Sequence, residues 1–73
     1  MLKSLSDIRR AHKLTQAELG QQVGVTQRAI AAYEAGERKP SAKIMNRLMR
    51  VLDITLEDAW AMLYGHDDGG ADE

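Results

Sequence analysis

Residues 15–34 read TQAELGQQVGVTQRAIAAYE, and this stretch decides the fold. Thr15 stands three residues before Glu18, the spacing of a capping box, which predicts that a helix begins directly after Thr15. Gly24 then supplies a residue that adopts a positive φ at low cost and ends this helix. Thr26 is a preferred cap for a second helix. The stretch therefore predicts two short helices, at 16–22 and 27–34, joined by a tight turn.

Cap residues and helical periodicity predict three further helices outside this stretch. One precedes it, beginning after Ser4 and running to about Lys13, and two follow it, beginning after Ser41 and Thr55. No segment alternates apolar and polar residues as a half-buried strand does. The expected fold class is all-α, with five short helices and a helix-turn-helix at 15–34.

Size and composition limit the kinds of site that this chain can hold. A chain of 73 residues buries only roughly 60% of its unfolded surface, which favours a binding surface over an enclosed catalytic pocket. There is no cysteine, and the two histidines have no partner at metal-ligand spacing. No nucleophile stands beside a base, no apolar run could span a bilayer, and the first residues lack a secretory signal. We therefore expect a cytoplasmic protein that is not an enzyme and has no cofactor, metal or membrane segment.

The charge distribution is more informative than the net charge of -1. Four of the 11 acidic residues lie in the last seven positions, which leaves seven acidic against 10 basic residues over 1–66. Because a Debye length is roughly 8 to 10 Å, a remote acidic segment does not prevent a basic surface from binding phosphates. We expect a domain over 1–66 and a disordered acidic tail over 67–73, with a regulatory role of the tail as the alternative.

Four segments of the chain resemble the lambda-repressor-like, or XRE-type, family of phage repressors and bacterial regulators, particularly the 434 repressor and Cro group. These segments read LTQAELG, VGVTQ, YEAGERKPS and VLDITLEDAW. The resemblance covers about residues 5–63 and implies a five-helix domain that binds operator DNA as a two-fold dimer. Lys13 and Asp53 depart from it, because the family often has glycine at both turns. We expect slight backbone strain there, less for aspartate than for lysine.

The resemblance assigns residues to an interface with double-stranded DNA. Base contacts are expected from the start of the helix at 27–34, where glutamine suits adenine and arginine suits guanine, and from short apolar side chains that could meet thymine methyl groups. Contacts with phosphates are expected from the start of the preceding helix, the turn and the following loop. The predicted base readers are Gln27, Arg28, Ala29 and Ala32, and the predicted phosphate contacts are Gln16, Thr26, Arg38 and Lys39. The alternative is that these are ordinary solvated residues.

Two further sets of residues have expected structural roles. The resemblance implies an internal ion pair between Arg9 and Glu34, so Arg9 is not expected to contact DNA. Apolar residues beyond the needs of one small core predict a homodimer interface, since exposed apolar patches usually mark interaction sites. This interface is expected at Ile44, Val51, Trp60 and Leu63. Alternatively, the last helix folds over the first two of these within the same chain.

The expected function is that of a sequence-specific transcriptional regulator, a repressor more often than an activator, on a palindromic operator. The main alternative is an antitoxin or other protein-interaction module that uses the same fold to bind a partner protein. Residue types and spacing leave open whether the chain is a phage repressor, a restriction controller or an antitoxin.

Overall fold

The computed structural model describes residues 4–63, and this part of the chain consists of five α-helices without a strand. The helices are α1 (Leu5–Ala11), α2 (Gln16–Val23), α3 (Gln27–Ala35), α4 (Ala42–Leu52) and α5 (Leu56–Leu63). The predicted all-α class is confirmed, and the boundaries differ from expectation by no more than two residues. The acidic tail expected at 67–73 lies outside the described residues.

Each helix begins where a hydroxyl side chain accepts a backbone N–H bond from the first turn. Ser4 and Thr15 form complete capping boxes, in which an acidic side chain at the third helical position accepts a bond from the cap's own N–H. The remaining caps are Thr26, Ser41 and Thr55, which accept bonds from Ala29, Ile44 and Asp58 respectively. These caps satisfy amides that would otherwise have no partner within the helix.

Left-handed backbone conformations follow the carboxyl ends of α1 to α4, and two of these four fall on glycine. Gly24 and Gly36 have φ values of 82° and 77°. Lys13 and Asp53 adopt φ values of 60° and 56° without being glycine. The backbone strain expected at these two departures from the family pattern is therefore present in the structure.

The core lies where α2, α3 and α4 meet, and α5 packs against α4. These three helices contribute five of the largest fully buried side chains: Leu19, Val23, Ile30, Leu48 and Leu52. Arg47 of α4 adds a polar link, because its Nη1 donates to the carbonyl oxygen of Val23 over 3.2 Å at the end of α2. A cation at this place also suits the negative end of the helix dipole.

Candidate nucleic-acid interface

The turn between α2 and α3 holds the two helices of the motif close together. The backbone amides of Gly24 and Val25 both donate to the carbonyl oxygen of Gly20 over 2.8 Å. A Cβ placed on Gly20 would lie 2.6 Å from the carbonyl oxygen of Val25. Glycine at this position therefore permits the close approach of the turn to α2.

The start of α3 presents two long polar side chains to solvent. Gln27 and Arg28 are its first two residues, and both are exposed. The opposite side of the same helix is anchored by Ile30, which is fully buried, and by Tyr33. An exposed polar face on a firmly packed helix is the geometry that reading of base edges requires.

Burial speaks against the base contacts expected of Ala29 and Ala32. Only 6% of Ala29 and 9% of Ala32 is exposed. On α3 they share the inward arc with Ile30 and Tyr33, since residues three and four positions apart lie on one face of a helix. Their methyl groups therefore contribute to the core and offer almost no surface to a thymine methyl group.

The four predicted phosphate contacts have different environments. Arg38 and Lys39 are exposed in the loop between α3 and α4. Thr26 is exposed but accepts the N–H of Ala29 over 3.1 Å, which leaves its own O–H as a donor. Gln16 is half-buried, and its Nε2 donates to Glu34 over 2.9 Å. The side chain predicted to hold a phosphate is therefore also part of an internal contact.

Arg9 and Glu34 form the predicted ion pair between α1 and α3. The Nε of Arg9 lies 2.6 Å from Oε2 of Glu34, and each side chain is only 10% exposed. Arg9 also donates through Nη2 to Oε1 of Glu34 over 3.4 Å and through Nη1 to the carbonyl oxygen of Leu14 over 2.8 Å. With its guanidinium occupied in this way, Arg9 is directed into the protein.

Two members of this polar framework were not anticipated from the sequence. Gln16 joins the ion pair through Glu34, which is 18 residues away, and Arg47 closes the end of α2 from 24 residues away. No local pattern signals either contact, because each depends on the relative placement of two helices. The sequence gives one indication of the second contact, because Arg47 is a cation beside the core face of the amphipathic α4.

The predicted dimer residues lie in three different environments: buried, half-buried and exposed. Leu63 is only 4% exposed and fills the core from the last turn of α5, which speaks against its expected place in an interface. Ile44 and Val51 are half-buried and pack against the core. Trp60 is 56% exposed and Leu56, four residues earlier on the same face, is 57% exposed. The exposed apolar surface is therefore on α5.

Residues 4–63 also bear on three other features: a metal site, a surface groove and a membrane span. No cluster of three or more histidine, cysteine or acidic residues within 4–63 could hold a metal ion. An open groove of about 530 Å³ on α4 has basic, amide and apolar walls: Lys43, Asn46, Arg47, Met49, Arg50 and Ile54. Among residues 4–63, no helix is both long and apolar enough to cross a membrane.

Comparison with known proteins identifies relatives of the same fold type. A family model described as helix-turn-helix matches residues 5–58. An uncharacterised HTH-type transcriptional regulator of Methanocaldococcus jannaschii is 31% identical over 68 residues, which cover 93% of this chain and 100% of the relative. A similarly described protein of Archaeoglobus fulgidus is 33% identical over 58 residues, covering 80% of this chain and 82% of the relative. No solved structure matches significantly.

Some relatives are longer than this chain. YqaE of Bacillus subtilis, also described as an uncharacterised HTH-type transcriptional regulator, is 34% identical over 55 residues, which cover 75% of this chain but 47% of the relative. The shared part is the helical domain, while closer kinship with the 434 repressor and Cro group stays a prediction. Five helices, a capped α2, a glycine turn and a match over residues 5–58 together show that this chain belongs to the XRE-type helix-turn-helix family.

Proposed function

We propose that this chain is a cytoplasmic, sequence-specific DNA-binding regulator that represses transcription by inserting α3 into the major groove. The observation that carries the proposal is the exposure of Gln27 and Arg28 on the first turn of a helix whose other side is held in the core. Glutamine and arginine pair bidentately with adenine and guanine edges. Relatives of this chain are described as transcriptional regulators, which agrees with the proposed function.

Selection of bound DNA from a random pool tests the proposal directly. We expect enrichment of one short sequence, and a repeat selection with Arg28→Ala should relax the preference at a single base pair. Lys13→Ala is a suitable control, because it removes a cation of the α1–α2 turn and leaves the start of α3 unchanged. A wild-type pool that remains random after repeated rounds would contradict sequence-specific binding.

The proposed binding unit is a homodimer formed through α5. One short recognition helix reads only a few base pairs, whereas two domains related by a dyad read a palindrome with half-sites about 34 Å apart. Leu56 and Trp60 expose more than half of their surfaces on one face of α5, which supports this face as the contact. Leu63, being buried, has no part in it.

Sedimentation equilibrium over a range of concentrations, with and without the selected DNA, tests the dimer. We expect self-association that weakens in Trp60→Ala, and a Trp60 fluorescence spectrum that changes on dilution of the wild type. Two half-sites one helical turn apart should appear in the selected DNA. A protein that stays monomeric and occupies a single half-site would rule out the dimer. In the antitoxin alternative, α5 would instead bind a partner protein, and a toxin gene beside this one would favour that alternative.

A further inference from the structure

We infer that Glu34 is a positioning residue for DNA binding, whose carboxylate orients the side-chain amide of Gln16 toward a phosphate. This inference rests on the proposed function, because Gln16 can act on a phosphate only if the start of α2 meets the DNA backbone. This orienting role of Glu34 is additional to its ion pair with Arg9.

The carboxylate of Glu34 joins three helices at one point. Its Oε2 accepts from Nε of Arg9 on α1 over 2.6 Å, and its Oε1 accepts from Nε2 of Gln16 on α2 over 2.9 Å. Glu34 itself lies near the end of α3, with a side chain only 10% exposed. Gln16 is half-buried and is the first residue of α2, directly after the Thr15 cap. Gln16 is therefore partly accessible to solvent while its amide nitrogen is held by a shielded carboxylate.

The chemistry of this contact determines which end of the amide faces Glu34. An ionised carboxylate only accepts hydrogen bonds, so Gln16 must direct its NH₂ group, and not its carbonyl oxygen, toward Glu34. That contact uses one N–H, and the second N–H of the same nitrogen remains a donor for a phosphate oxygen. Without Glu34 the amide can turn over and present an oxygen, which a phosphate repels. The contact thus selects the donor and restricts rotation of the side chain before DNA binds.

Arg9 reduces the electrostatic repulsion between the carboxylate of Glu34 and a nearby phosphate. A lone carboxylate there would repel the DNA backbone, whereas the guanidinium of Arg9 neutralises Glu34 at short range. Arg9 is itself held by the carbonyl oxygen of Leu14 over 2.8 Å, so it compensates the charge without extending toward DNA. The ion pair therefore has a stabilising role and an orienting role that separate measurements can distinguish.

A methylphosphonate scan of the selected DNA measures the orienting role. Each phosphate in turn is replaced by a neutral methylphosphonate, and the affinity of the wild type is compared with that of Gln16→Ala. The phosphate that Gln16 holds is the one whose replacement weakens the wild type by roughly threefold to tenfold but leaves Gln16→Ala unaffected. In Glu34→Ala, we expect that replacing this phosphate no longer lowers the affinity, whereas replacing the other contacted phosphates still does.

Glu37→Ala is the matched control, because it removes an exposed carboxylate just after α3 and leaves Glu34 in place. It should retain the wild-type profile, whereas a general charge effect would alter Glu37→Ala and Glu34→Ala alike. A Glu34→Ala profile identical to that of the wild type would overturn the inference while DNA binding still stands. A wild type that selects no DNA sequence would instead contradict the proposed function.

Nuclear magnetic resonance on the wild type keeps the inference testable if Glu34→Ala does not fold. Relaxation of the side-chain NH₂ groups should show the amide of Gln16 to be more restricted than those of Gln21 and Gln22, which are exposed on the same helix. Restriction of Gln16 before DNA is added supports the inference. Equal mobility of all three amides would overturn it.

Discussion

The end of the molecule that contains α1, α2 and α3 is held together differently from the end formed by α4 and α5. Glu34 binds side chains from α1 and α2, and Arg9 adds a bond to the backbone at Leu14. At the other end, α5 buries Ala59 and Leu63 but leaves Leu56 and Trp60 largely exposed. Directional polar bonds define the orientation of a helix more narrowly than apolar contacts do. This contrast agrees with the proposal that α3 meets DNA in one orientation and that α5 presents an apolar surface.

The strongest test of the contrast is removal of one partner of the ion pair. Arg9→Ala or Glu34→Ala should each lower the free energy of unfolding by about 3 kcal/mol, and at most about 5, because the remaining charge is shielded from water and uncompensated. Thermal or denaturant unfolding measures this change. The double variant should lose less than the sum of the single losses, and a cycle without coupling would contradict the pair. Arg10→Ala, at an exposed neighbouring position, should stay within about 0.5 kcal/mol of the wild type.

In α5, the first residue, Leu56, and the last, Leu63, should respond oppositely to truncation. Leu63→Ala should lower the free energy of unfolding by about 2 to 3 kcal/mol, because it removes a buried side chain and leaves a cavity. Leu56→Ala, more than half exposed, should change it by no more than about 0.5 kcal/mol. Denaturant unfolding at low protein concentration makes the comparison. Equal losses of stability in the two variants would contradict the division of α5 into a buried and an exposed face.

On the side proposed to face DNA, a proposed base contact and a proposed phosphate contact should act in different ways. Arg28→Ala should weaken binding to the selected site by about 1 to 3 kcal/mol and relax the preference at one base pair, since it removes a base contact. Lys39→Ala should weaken all sequences about equally and reduce the salt slope by about one, since it removes a phosphate contact. Titrations of specific and random DNA at several salt concentrations separate the two. Unchanged binding in both variants would contradict the proposed docking.

The smallest expected effects are at the two strained turns, one at each end of the molecule. Lys13→Gly should raise the free energy of unfolding by about 1 kcal/mol, because lysine is held at a φ of 60° that glycine adopts without steric cost. Asp53→Gly should raise the free energy of unfolding by only a few tenths of a kcal/mol, because aspartate tolerates the left-handed region better than lysine does. Thermal melts of the two variants provide the check. A loss of stability in Lys13→Gly would show that its side chain contributes more than its backbone costs.

The elements of this fold were predictable because their signals are local. Ser4, Thr15, Thr26, Ser41 and Thr55 each bond an amide three residues away, so the sequence alone places the start of every helix. The glycine turn at Gly24 and the two turns with positive φ at Lys13 and Asp53 also depend on residues close together in sequence. The exposed Gln27 and Arg28 were also predictable, because an N-terminal polar pair on a short amphipathic helix cannot both enter the core.

The remaining features were decided only by the packing of helices against one another. Ala29 and Ala32 are buried, and Leu63 belongs to the core, because the width of a buried arc depends on how closely neighbouring helices approach. The contact of Gln16 with Glu34 and that of Arg47 with the end of α2 each join residues far apart in sequence. The sequence determines where helices begin and end through bonds within one turn. Tertiary structure determines which side chains share a site, since that depends on distances no local pattern contains.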